Sequence, residues 1–119
     1  MRRWVIILSL IIACPVSAQV VINEIAWMGT SVSTADEWIE LYNPNNSPVL
    51  LTGWTLEWAL DSSTPKLINL SGVIGPGGYY LLERTDDETV AGIGADLIYT
   101  GALSNSGEKM ILRGVSDIV

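Results

Sequence analysis

The chain has 119 residues and a formal net charge of −7, with six basic residues, thirteen acidic ones, no histidine and a single cysteine, Cys14. That length holds one domain with one modest core. Without histidine or a second cysteine, Ser-His-Asp and Cys-His catalysis, zinc fingers, thiol redox chemistry and internal disulfides are excluded; no constellation of carboxylates, Lys, Tyr or Ser suggests another catalytic centre, and no cofactor is expected.

Arg2-Arg3, the apolar run over residues 4–14 and Val16-Ser17-Ala18 before Gln19 follow the order of a secretory signal peptide. The apolar run is about half of the ~20 residues that a bilayer-spanning helix needs, which argues against a membrane anchor. Ile11-Ile12-Ala13-Cys14 also resembles a bacterial lipobox, in which Cys14 would be lipidated and become the first residue; Pro15 fits that poorly and the site at Ala18 competes. The expected organisation is a signal peptide over residues 1–18 and one domain over residues 19–119. Cleavage after Ala18 removes Arg2 and Arg3 but no acid, so the net charge falls to −9 and only Lys66, Arg84, Lys109 and Arg113 remain basic. Four scattered cations are a poor counterion-releasing surface, so nucleic acid is not an expected partner.

The rest reads as strands and turns. Strands are expected over residues 20–27 and 37–42, the second alternating with Glu37, Ile39 and Leu41 on one face and Trp38, Glu40 and Tyr42 on the other. Asn43-Pro44-Asn45-Asn46-Ser47-Pro48 breaks that strand. Residues 49–59 predict one long strand or two, interrupted at Gly53, where a bulge or close backbone approach is expected. A turn over residues 61–65 precedes a strand over 66–74. Gly75-Pro76-Gly77-Gly78 stops it, and residues 79–84 run extended. Residues 85–94 form an acidic surface loop, and strands over 96–100 and 109–113 flank a polar turn at 104–107. About seven short strands at roughly 8–12-residue spacing are the pattern of an all-β, antiparallel sandwich.

Several of these features recur in a set order: Val21-Ile22-Asn23-Glu24-Ile25, the strand from Glu37 ending in Asn43, Gly53-Trp54, Pro76-Gly77-Gly78 before Tyr79-Tyr80-Leu81-Leu82, and an Asn105-Ser106-Gly107-Glu108 hairpin. In that order, over residues 20–119, the chain resembles the lamin-tail domain family, small immunoglobulin-like β-sandwiches, in its bacterial secreted type. The resemblance implies Trp54 as the tryptophan around which the sheets close, and one further strand after Val119. Trp27 is also expected in the core, whereas Trp58, alternating with Glu57, is expected to face out.

Glu24, Asp36, Glu37 and Glu40 are the best candidates for a hard-cation site, but they lack the spacing of a calcium loop; they read as strand-face and strand-entry residues, and no metal is expected. Asp86-Asp87-Glu88 reads as a solvated acidic tip. Asn45 and Asn69 fit the N-glycosylation sequon. Trp38 and Tyr42, opposite the expected core residues Ile39 and Leu41, either form a contact surface or cover a neighbouring strand; aromatic groups with polar handles are enriched at interfaces.

The resemblance implies a secreted, non-catalytic module for binding, tethering or surface display, with an unidentified protein or cell-envelope ligand as partner. The alternative is an accessory domain of a longer extracellular hydrolase, a nuclease or phosphatase. No heptad rod accompanies the domain, which argues against an intermediate-filament role.

Overall fold

The computed structural model describes residues 19–60 and 62–115. The expected leader with Cys14, Asp61 of the expected 61–65 turn and the last four residues lie outside them. Among the described residues there are nine strands and no α-helix: β1 (Val21–Ala26), β2 (Trp38–Tyr42), β3 (Val49–Leu50), β4 (Thr55–Trp58), β5 (Lys66–Asn69), β6 (Val73–Ile74), β7 (Tyr79–Arg84), β8 (Leu97–Tyr99) and β9 (Ile111–Arg113). They form a four-stranded sheet ordered β1-β2-β7-β8, a three-stranded sheet β5-β4-β9, and the small pair β3-β6. This is an immunoglobulin-like sandwich.

Nine strands replace the expected seven because two runs divide. The run 49–59 turns where Trp54 N donates to Leu51 O at 2.9 Å, with Gly53 at φ +83°. The glycine serves a tight turn and not a bulge, since only it takes that φ without strain. The run 66–74 divides at Leu70, whose amide donates to Trp54 O at 2.8 Å. Two pairings also differ from expectation. The segments around residues 104–107 are not a hairpin: β8 pairs with β7 and β9 with β4, so that stretch crosses between sheets. The β7–β8 pair is parallel, while every other pair is antiparallel, because the loop over residues 85–96 carries the chain back across the sheet.

Alternation along β2 decides the two faces of the larger sheet. Ile39 lies opposite Leu82 and Leu41 opposite Tyr80, and all four point into the sandwich and are buried. From the facing sheet Leu56 and Trp58 enter the same core. Trp58 is fully buried, stands edge-on to Tyr99 at 5.7 Å and directs Nε1 at Ala102 O, 3.4 Å away. The sheets therefore close around Trp58, not Trp54. β4 starts at Thr55, which gives Leu56 and Trp58 the inward parity, while Trp54 sits in the preceding turn. Trp54 is half-buried at the margin of the core, lying flat over Gly114, where an added Cβ would come within 3.1 Å of the ring. Trp27, just past the end of β1, is 45 % exposed instead of buried in the core.

Candidate functional site

The inner face of β2 extends past both ends of the strand as polar residues. Glu37, buried like Ile39 and Leu41, accepts from Leu103 N at 3.0 Å and pairs with Arg84 Nη1 at 3.2 Å. It is a brace between β7 and the sheet crossover, where strand entry was the expectation. At the other end Asn43 is fully buried. Its amide donates to the carbonyls of Ser47, Ile74 and Gly75 at 2.9–3.0 Å, and its Oδ1 accepts from Asn45 N and Nδ2. Such groups are costly to bury and are retained only when partnered, so this end of the site is structural. Tyr99 lies beside Glu37 and Arg84; burial first, and the Glu37 carboxylate second, push its phenol well above the ordinary range.

The outer face is different. Trp38, Glu40 and Tyr42 of β2 stand beside Glu83, Leu81 and Tyr79 of β7 in strict register. Tyr42 and Tyr79 stack with ring centroids 4.9 Å apart, and Tyr79 is 59 % exposed. After Arg84 the chain turns at Thr85, φ +77°, a strained conformation for a β-branched residue. The loop then folds back over this face. Glu83, fully buried under it, accepts from Val90 N at 2.8 Å and Thr89 N at 3.2 Å. Asp87 Oδ1 holds the far end by accepting from Ala95 N at 2.6 Å.

Between loop and strands lies an open cleft of about 280 Å³. Glu40 and Leu81 lie at its centre, with Trp38 and Tyr79 on either side and Val90, Ile93 and Asp96 from the loop. Asp96 Oδ2 accepts from Leu81 N at 2.8 Å, and Glu40 Oε1 accepts from Asn23 Nδ2 at 2.6 Å. Glu24 lies opposite Glu40 across β1–β2, after a bulge in β1 at residues 22–24. A second apolar cleft of about 250 Å³ is lined by Ile25, Trp27, Leu103 and Met110 with the 104–108 turn.

The structure thus brings Trp38 into the outer cleft, with Tyr42 next to it behind Tyr79, and places Ile39 and Leu41 in the core. Sequence reasoning missed Glu83, Tyr79 and the loop residues; the alternation Tyr79, Leu81, Glu83 was the available signal, but nothing local says which loop covers a strand. The four carboxylates weighed for a cation do not converge. Glu37 pairs with Arg84, Asp36 accepts from Thr30 Oγ1, and Glu24 and Glu40 lie on the outer face. Among the described residues no group of three or more His, Cys, Asp or Glu side chains is placed to hold a metal ion. Asp86, Asp87 and Glu88 are exposed at the loop tip. Of the sequon asparagines, Asn45 is bonded to Asn43 and Asn69 is exposed on β5. No helix among the described residues is long and apolar enough to cross a membrane.

No curated protein matches the chain in a sequence search. The family model described as Lamin Tail Domain matches residues 15–117. With that match over nearly the whole chain, and an immunoglobulin-like sandwich beneath it, the chain belongs to the lamin tail domain family.

Proposed function

We propose that this domain acts outside the cytoplasm as a non-catalytic binding or display module, holding a protein or cell-envelope ligand on the outer face of the β1-β2-β7-β8 sheet. The observation that carries this reading is the outer cleft, where exposed Tyr79 and Ile93 and half-buried Trp38 stand on a sheet whose other face is the core. Sheet faces with aromatic groups and a polar rim are suited to protein contacts. The acidic charge disfavours nucleic acid as the ligand.

Two measurements test the reading. Expressed in a bacterium, the chain should be recovered outside the cytoplasm with Gln19 as its first residue; a lipidated start at Cys14 would change the anchoring, and soluble cytoplasmic protein retaining Met1 would defeat export. Retention of the exported chain on washed cells should fall with Trp38→Ala or Tyr79→Ala and persist with Leu67→Ala on the other sheet. Retention indifferent to all three, or metal-dependent nuclease or phosphatase turnover by the chain itself, would defeat the binding reading. Reading the coding DNA past Val119 tests the accessory-domain alternative, in which a hydrolase domain would follow.

A further inference from the structure

We propose that the outer cleft takes an arginine side chain from a partner protein; the proposal rests on the binding-module reading and names the chemistry of its ligand. The cleft offers apolar walls for a long stem, an aromatic side chain at each side, and two carboxylates. Glu40 sits among the strand residues and Asp96 on the loop side, and each has one oxygen held by an internal donor, Asn23 Nδ2 and Leu81 N respectively. Glu40 Oε2 and Asp96 Oδ1 have no partner among the described residues. Those held bonds fix both carboxylates in place before any ligand arrives, which lowers the entropy lost on binding.

Charge selects the ligand. Among the described residues no basic side chain lines the cleft. Arg84 is turned to Glu37 on the inner face, and Arg113 pairs with Glu57 on the smaller sheet at 3.2 Å. Glu24 is paired in register with Glu40, and the covering loop carries the Asp86-Asp87-Glu88 tip, so the charge these residues bring to the face and its loop is negative. An anionic ligand would be repelled, and a neutral apolar one would desolvate Glu40 without compensating it. A cation both neutralises the carboxylates and stacks on Trp38 or Tyr79. Arginine is favoured over lysine because a planar guanidinium covers an indole face and presents a fork of N–H groups to a carboxylate, while its methylenes lie on Leu81, Val90 and Ile93.

The test is an NMR titration of the ¹⁵N-labelled exported chain with acetyl-Gly-Arg-Gly-amide, its lysine counterpart and its citrulline counterpart, which keeps the shape but lacks the charge. The arginine probe should give saturable shifts at the amides of Leu81, Val90 and Ile93, binding about threefold tighter than lysine and about tenfold tighter than citrulline. Glu40→Gln should weaken it about fivefold and Trp38→Ala about tenfold, with Leu67→Ala unchanged; a thermal melt of each variant separates lost binding from lost fold. Raising the salt should weaken binding as well. Citrulline or lysine matching arginine, affinity indifferent to Glu40→Gln, or no saturable shift at those amides would overturn the proposal. If Trp38→Ala still abolishes cell retention in that case, the face binds a ligand of other chemistry and only the arginine assignment falls.

Discussion

The two faces of β2 carry similar residue types to opposite ends. Inward, Glu37 and Asn43 bracket Ile39 and Leu41; Glu37 is buried with its Oε2 held by both Leu103 N and Arg84, and the Asn43 amide and Oδ1 are both bonded. Outward, Glu40 lies between Trp38 and Tyr42, with one carboxylate oxygen held and the other free of partners among the described residues. A buried carboxylate locked in an ion pair fixes a strand in place, whereas a half-buried one with no cation beside it, at the edge of an apolar cleft, can meet a ligand. The same residue type serves structure on one face and recognition on the other, and burial decides which.

The sharpest way to break this comparison is to attack the inner side. Trp58→Ala removes the ring that joins the two sheets and should cost about 3–5 kcal/mol, read as a shift in denaturant midpoint. Trp54→Ala, at the margin, should cost clearly less; an equal or larger loss would return Trp54 to the centre of the core. Asn43→Ala strips the partner from three carbonyls, Ser47 O in the turn after β2 and Ile74 O and Gly75 O at the end of β6, and should cost about 2–3 kcal/mol. If the loss were under about 0.5 kcal/mol, water would be replacing the amide freely and the turn would not be buried as described.

A smaller effect appears at alkaline pH. An unfolded tyrosine titrates near 10, and burial followed by the Glu37 carboxylate raises Tyr99 above that in the fold. The folded state therefore prefers the protonated phenol. Its contribution is intact below pH 10 and is lost as the pH climbs from there toward the folded value. Tyr99→Phe should reduce the alkaline loss of stability. Because the Tyr99 hydroxyl has no partner among the described residues, the same change should cost no more than about 0.5 kcal/mol at neutral pH. A steep neutral loss would show a hidden hydrogen bond.

Much of the fold was legible because β periodicity is a local property. The alternation Glu37, Ile39, Leu41 against Trp38, Glu40, Tyr42 is enough by itself to assign both faces of β2, and the glycine-rich stop at residues 75–78 opens β7 as expected. What failed was long-range. Trp54 and Trp58 lie on the same parity, and only the turn at Gly53, closed by the bond from Trp54 N to Leu51 O, decides which one enters the core. The parallel β7–β8 pair and the crossover at residues 104–107 depend on sheet membership, which local spacing does not encode. The candidate site was half legible. Trp38 was visible as an outward aromatic, but its cleft needs the loop over residues 85–96 to fold back, and the anchor for that is Glu83, a residue that reads as an ordinary surface acid.

The most direct test compares two identical substitutions three residues apart. Glu37→Gln removes the charge beside the Arg84 guanidinium in a buried brace and should cost about 2 kcal/mol of stability. Glu40→Gln, on the outer face, should change stability by no more than about 0.5 kcal/mol and weaken the arginine probe. Measured by chemical denaturation at neutral pH, that asymmetry is what the division between a structural and a recognition face predicts. Equal losses of stability at the two positions, or a larger one at Glu40, would contradict it.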